Sequence, residues 1–199
     1  MHFRICCAGA SSAYIQGLVS LLPSVPNVSE HITRRLQSRY LVAADDDFRS
    51  PKNRRLLDYW RRKAAGRARP AWRDLTLMDV YEIAPDIVVR DVVDGGAEFL
   101  CRYCGTAIVE MMGLEPTGRL LRDTYRREAA DQMAARYRIA LAEDRPIRVV
   151  GYVQVVEKPR PLGFEAIVLT LDGDAGSKSH IIMAFDYTYE LTLDEAAAL

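Results

Sequence analysis

The chain has 199 residues, of which 49% are hydrophobic and 27% charged, and its formal net charge is zero. These values are ordinary for one soluble domain with modest extensions. A zero net charge gives no global attraction to nucleic acid, and a folded part of about 140 residues buries a sizeable core without disulfides or a structural metal.

The first forty residues allow three interpretations. No charge lies between Arg4 and Glu30, and Ile5–Leu22 reaches the length of a membrane span but contains serines, glycines and a glutamine. The segment is a wrongly chosen translation start or poorly ordered tail, a secretion or anchoring signal, or a structured extension. Residues 1–49 therefore stay unassigned as an N-terminal extension.

The first helix is predicted at Pro51–Ala65. Ser50 is a good N-cap and Pro51 suits the first helical position, while Gly66 favours a stop. The apolar residues recur at helical spacing and form one stripe, which needs a docking surface because so short a helix is not stable alone. We expect this stripe to be a dimer or partner surface; it consists of Leu56, Leu57, Trp60 and Ala64.

Basic residues are concentrated around this helix. Residues 34–73 hold thirteen Lys and Arg against four Asp and Glu, whereas residues 74–199 hold thirteen against twenty-two. The simplest interpretation is a match between a basic helix and an acidic body, within one chain or across a dimer. The alternative is an adaptor that binds nucleic acid or an anionic membrane through the same helix.

The remaining elements follow in chain order. β-branched and alternating runs predict five strands, and 3.6-residue periodicity predicts helices between the second and third strand. The predicted elements are a helical segment at Leu75–Ile83, strands at Ile87–Val93 and Glu98–Gly105, helices at Thr106–Met112, Arg119–Arg122 and Arg126–Glu143, strands at Arg148–Val156, Phe164–Leu171 and His180–Tyr189, and a helical start at Leu191–Leu199 capped by Thr192. The fold class is therefore α+β, with a five-stranded antiparallel sheet, helices on one face and an N-terminal flanking helix.

The four cysteines suggest no metal site. Cys101 and Cys104 have CxxC spacing, but they lie in an alternating strand where residues three apart point to opposite faces unless a bulge intervenes. No second CxxC pair or nearby histidine completes a zinc site. Two ordinary buried thiols are the simpler interpretation.

The order of these elements resembles a PAS domain. Short stretches spread over about 135 residues resemble the bacterial single-domain PAS family, the fifth PAS group, common in alphaproteobacteria. The residues that carry the resemblance are Tyr59, Trp60, Arg102, Gly105, Thr106, Gly113, Thr117, Gly118 and Glu165. Position 104, often aromatic or aliphatic in that family, is Cys104 here.

The resemblance implies a stand-alone sensory or regulatory module over residues 50–190, with residues 191–199 as a tail. Such a module binds a small molecule, docks to a signalling protein, or does both, and we expect a cytoplasmic homodimer. PAS pockets lie between the inner sheet face and the short helices. The candidate pocket residues are Phe99, Cys101, Tyr103, Ile108, Met111, Met112, Leu114, Met133, Tyr137 and Val153, with a core filled by these side chains as the alternative.

The ligand and any cofactor are left open. Haem is disfavoured because none of the three histidines falls within residues 106–145, and a LOV-type flavin is disfavoured because the Asn-Cys-Arg-Phe motif is absent. Arg102 and Glu165 either pair across the sheet, orient a polar ligand or face outward separately.

An enzyme on a PAS-like scaffold is the least favoured function. The chain has no Gly-x-Ser-x-Gly or His-Glu-x-x-His motif. Ser179 and His180 are neighbours in a strand, so we expect their side chains to point in opposite directions. No catalytic residue and no metal ligand is assigned.

Overall fold

The computed structural model describes residues 15–21, 36–44, 47–155, 161–174 and 176–199. The strands are β1 (Ile15–Leu21), β2 (Leu36–Ala44), β3 (Ile87–Val93), β4 (Glu98–Cys104), β5 (Ile147–Val155), β6 (Leu162–Asp172) and β7 (Lys178–Asp186). The α-helices are α1 (Pro51–Ala64), α2 (Thr106–Met112), α3 (Leu121–Thr124), α4 (Arg127–Ala142) and α5 (Leu193–Ala198), and a 3₁₀-helical segment spans Leu77–Asp86.

All pairings in the sheet are antiparallel, and the strand order is β1-β2-β5-β6-β7-β3-β4. The five predicted strands form the contiguous part from β5 to β4. Strands β1 and β2 extend the sheet at the β5 edge, where Leu36 to Ala44 pair with Val155 to Ile147. The predicted fold class is confirmed, with two more strands than expected.

Strands β1 and β2 lie within the unassigned N-terminal extension, and the choice among its three interpretations stays a prediction. Residues 1–14 and 22–35, on which much of the start-site and signal hypotheses depend, lie outside the described residues, as do Cys6 and Cys7. None of the helices in the described part of the chain combines the length and the hydropathy that crossing a bilayer requires.

Helix α1 covers the outer face of the sheet. Ser50 Oγ accepts a hydrogen bond from Asn53 N at 3.4 Å, and Ala65 ends the helix in the left-handed conformation (φ 50°). Trp60 Nε1 donates to the Thr170 carbonyl of β6 at 2.9 Å. Together with the 3₁₀ segment, the apolar stripe of α1 therefore buries the outward residues of β3, β6 and β7.

This packing corrects the expected partner surface. Leu56, Leu57, Trp60 and Ala64 are all buried, and the first three pack against the sheet of their own chain. A partner surface must therefore use other residues.

At least three of the six basic side chains of α1 pair with acidic residues of the same chain. Three ion pairs join the helix to the 3₁₀ segment: Lys52–Asp86 at 2.9 Å, Arg55–Glu82 at 2.6 Å and Lys63–Asp79 at 3.0 Å. This agrees with the intramolecular match between basic helix and acidic body.

A buried carboxylate holds the start of α1 on the sheet. Glu165 of β6 is fully buried and accepts hydrogen bonds from the backbone N–H groups of Arg49 (3.1 Å) and Ser50 (2.7 Å) and from Asn53 Nδ2 (3.1 Å). Its charge is balanced by Arg148 of β5, whose Nε lies 2.7 Å from Oε1. Glu165 therefore pairs with Arg148 and not with Arg102.

The same arginine attaches the C-terminal helix. Arg148 Nη2 donates to Glu195 Oε1 at 2.8 Å and to the Tyr189 hydroxyl at 3.0 Å. Thr192 caps α5 as predicted, since its hydroxyl accepts from Glu195 N. One buried network thus joins β5, β6, α1 and α5.

Candidate functional site

A cavity of about 110 Å³ lies between the inner face of the sheet and helices α2 and α4. An ordered water needs roughly 10–15 Å³ of such space, so the cavity has room for on the order of ten water-sized groups. Strands β2 to β7 all contribute to its walls, because inward residues alternate along each strand. The lining residues are Val42, Val88, Arg90, Cys104, Ile108, Met111, Met112, Tyr125, Met133, Arg136, Tyr137, Ile147, Val149, Val153, Phe164, Ala166, Val168, Met183, Phe185 and Tyr187.

Six of the ten predicted pocket residues line this cavity. They are Ile108, Met111, Met112, Met133, Tyr137 and Val153. Phe99 and Cys101 are fully buried in the same inner core, outside the lining. Tyr103 lies on the outer face, where its hydroxyl donates to the Ala84 carbonyl at 3.0 Å, and Leu114 is half-buried outside the lining. Contact between any of the ten and a ligand stays a prediction.

The most unusual lining residue is Arg90 of β3. Its side chain is among the largest fully buried ones, and the residue is 2% exposed. Within the described part of the chain, Nε and Nη1 have no hydrogen-bond partner and no carboxylate pairs with the guanidinium. An arginine keeps its charge at any ordinary pH, so a buried cation faces the cavity with two donor atoms unused.

Three tyrosines line the cavity together with Arg90 and Arg136: Tyr125, Tyr137 and Tyr187. Burial raises the pKa of Tyr125 and of Tyr187 well above their usual range, so both remain neutral donors. The Tyr125 hydroxyl lies 3.9 Å from Met112 Sδ, and the nearby Arg90 opposes the rise in its pKa. The Tyr137 ring packs edge-on against Phe99, with ring centres 5.0 Å apart.

A family model described as PAS domain matches residues 48–185. The chain belongs to the PAS domain family. The match covers helices α1 to α4, strands β3 to β6 and nearly all of β7, and every described lining residue except Val42 and Tyr187 falls within it. Neither a curated protein nor a solved structure matches the chain with significant similarity.

The residues that carried the PAS resemblance build the scaffold around the cavity. Tyr59 accepts from Thr76 N at 2.8 Å and donates to the Thr76 carbonyl at 2.9 Å, which fixes the loop after α1. Gly105 passes so close to Pro85 that a Cβ would lie 2.2 Å from its carbonyl oxygen. Gly113 ends α2 in the left-handed conformation (φ 67°).

The other motif residues act in a similar way. The loop that contains Thr117 and Gly118 pairs with β4, where Gly118 N donates to the Cys101 carbonyl at 2.7 Å. Thr106 is the first residue of α2, although the cap position falls on Gly105. Arg102 forms a two-pronged ion pair with Asp91, at 2.6 and 2.7 Å. None of the nine motif residues lines the cavity, so the PAS resemblance does not identify a ligand.

Cys101 and Cys104 lie on the same face of the sheet, and the expectation of opposite faces is wrong. Val89 pairs with Tyr103 but Arg90 pairs with Cys101, so Arg102 is the extra residue of a β-bulge. A hydrogen bond from Cys104 and the nearby Arg90 lower the pKa of Cys101 to about 7, against burial, which raises it. That hydrogen bond and burial raise the pKa of Cys104.

Cys101 and Cys104 belong to no cluster of metal ligands among the described residues. Both are free, and nowhere in the described ranges do three His, Cys, Asp or Glu side chains cluster closely enough to hold an ion.

A second polar cluster lies outside the cavity around His180. Contrary to expectation, Ser179 Oγ and His180 Nδ1 are 2.6 Å apart, because the two side chains turn toward each other at the start of β7. His180 Nε2 lies 3.4 Å from Asp91 Oδ1, and its ring stacks on Trp72 with centres 4.9 Å apart. Asp91 is held by Arg102 and the imidazole is covered by Trp72, so the arrangement is a structural contact.

Sequence reasoning missed Arg90, although a signal was present. Val88, Arg90 and Val92 alternate along β3, and the period of two places all three on the inner face of the sheet, beneath α2 and α4. A charged residue on the buried side of an apolar strand is a functional-site candidate. The wall from β2 was also missed, since the N-terminal extension was left unassigned.

Proposed function

We propose that this PAS domain is a stand-alone sensory or regulatory module that binds a small molecule in the inner-face cavity and signals by docking to a separate protein. PAS domains are typically sensory rather than catalytic, which favours regulation over an enzymatic role. The observation that carries the proposal is the cavity itself, a mostly apolar space with a few convergent polar groups, as in many small-molecule sites.

The surroundings of the cavity offer a path for a signal. Ile147 and Val149 of β5 line the cavity, while Arg148 between them points to the outer face and joins the network of Glu165. A ligand that displaces β5 would therefore act on the attachment of both α1 and α5. We propose residues 50–190 as the signalling unit, with α5 as its terminal attachment.

The test of ligand binding is native mass spectrometry on the full chain purified from a bacterial host. We expect a species heavier than the protomer by the mass of one small molecule. Ala166→Leu should remove that species, because Ala166 lines the cavity on β6 and three added carbon atoms occupy ligand space. The matched control is Ala135→Leu on the exposed face of α4, which should retain it.

Wild type that shows only the bare protomer mass, or an Ala166→Leu variant that is folded and keeps the added mass, contradicts binding in this cavity.

The homodimer is a separate part of the proposal and is tested by light scattering after gel filtration. A mass of twice the protomer supports it, and a protomer mass contradicts it. Substitutions at Leu57 or Trp60 are not suitable here, because both side chains hold α1 on its own sheet.

A further inference from the structure

The buried guanidinium of Arg90 indicates the chemical class of the ligand. This step rests on the proposed function. A buried cation costs several kcal/mol unless it is paired and hydrogen-bonded, yet Nε and Nη1 of Arg90 have no partner among the described residues. Tyr125 is neutral, and Cys101, whose pKa is lowered to about 7, supplies only part of a negative charge, so no full counter-charge among the described residues matches Arg90.

The charged residues of the lining also favour an anionic ligand. Arg90 and Arg136 both line the cavity, and no aspartate or glutamate among the described residues does. Arg136 is close enough to Tyr187 to oppose the rise in the pKa of that hydroxyl, so its charge acts on the same interior. The cavity is therefore electropositive and enclosed by a low-dielectric wall, in which a bound anion interacts strongly.

The rest of the lining restricts the body of the ligand. Beyond the arginines, tyrosines and Cys104, the wall consists of aliphatic, methionine and phenylalanine side chains. Such a surface accepts a compact apolar group and offers few partners for further polar atoms. A volume of about 110 Å³ matches a molecule of on the order of ten non-hydrogen atoms.

We propose that the cavity binds an organic monocarboxylate, with the carboxylate on Arg90 and a compact apolar chain or ring against the methionines of α2 and α4. A carboxylate is all acceptor, so it complements a guanidinium that has donors to spare. Tyr125 is placed to donate a further hydrogen bond to the same group.

The experiment compares octanoate, octanol and octylamine, which share an eight-carbon chain and differ in the head group. Calorimetric titration of the full chain should give a Kd for octanoate roughly ten- to a hundredfold below those of the other two, the range expected for hydrogen bonds to a charged group. Arg90→Met should abolish this preference and leave the affinity for octanol unchanged. Arg90→Lys, which keeps the charge and loses the planar donor set, should fall between the two.

Arg102→Met is the matched control. Arg102 belongs to the same hairpin but is exposed and paired with Asp91 outside the cavity, so its replacement should leave the preference for octanoate intact.

Thermal unfolding separates a ligand site from a structural role. Arg90→Met should leave the unfolding midpoint of the free protein unchanged or raise it, because it removes an unmatched buried charge. A large loss of stability would instead show that Arg90 supports the fold.

The outcomes distinguish failure of the carboxylate proposal from failure of the proposed function. Equal binding of octanoate and octanol, or a preference that survives Arg90→Met, overturns the carboxylate proposal but leaves a small-molecule site. Octanoate that does not bind overturns the carboxylate proposal. If octanol also fails to bind and no mass is retained on the purified chain, the proposed function fails with it.

Discussion

At the scale of single residues, two buried charged side chains, Glu165 and Arg90, differ in how completely they are paired. Glu165 accepts from four donors, one of them the balancing Arg148, whereas Arg90 has two unused nitrogen donors and no carboxylate partner in the part of the chain that the structure describes. The first arrangement stabilises a contact between elements. The second is expected where a ligand completes the site.

His180 makes stability depend on pH. Burial lowers its pKa, and Arg102 lowers it further, while Asp91 raises it; the net pKa lies below 6.5. The unfolded chain then binds more protons than the folded one, so the stabilisation from neutral His180 is present above about pH 6.5 and is lost as the pH falls through the folded-state pKa. Urea unfolding across this range should show a decline toward acid pH that His180→Gln reduces. An unchanged decline in the variant would assign the effect to other groups.

At the scale of elements, the attachment of α1 depends on Glu165. Glu165→Gln removes the fully buried carboxylate partner of Arg148 and leaves it Glu195, and it replaces a charged acceptor of two backbone N–H groups with a neutral one. We expect a loss of about 3 kcal/mol in the free energy of unfolding, measured in urea. Glu82→Gln, in an exposed pair with Arg55, serves as control and should cost less than about 1 kcal/mol. Equal losses would contradict the role of Glu165.

The elements themselves were largely predictable from the sequence. Ser50-Pro51 located the start of α1, Thr192 located the start of α5, and the β-branched run Ile87–Val93 coincides with β3. The bulge at Arg102 was not predictable, because it depends on how β4 pairs with β3 and not on local pattern. That single extra residue brings the two thiols together.

The cavity wall was harder to predict than the helices around it. From Phe164 to Leu171 every residue of β6 is buried, since helices cover both faces of the sheet. A strand buried on both faces reads as a continuous apolar run and does not reveal which residues point inward. The predicted pocket residues therefore came mostly from α2, α4 and β4, and those from β5, β6 and β7 were missed apart from Val153.

At the scale of the whole molecule, the two faces of the sheet differ. The outer face packs against α1 and the 3₁₀ segment in an apolar cluster, and the inner face encloses a cavity with charged residues beneath α2 and α4. The N-terminal strand β2 contributes Val42 to that cavity. Binding experiments should therefore use the full chain.

Methionine methyl groups offer the most direct test that the inner-face cavity is the ligand site. Met111, Met112, Met133 and Met183 line the cavity, while Met78 is 76% exposed and lies outside the lining. On titration of methyl-labelled protein with octanoate or octanol, NMR should show the four cavity resonances shifting together and Met78 unmoved. If the four stay fixed with both ligands, or Met78 alone moves, the inner-face cavity is not the binding site.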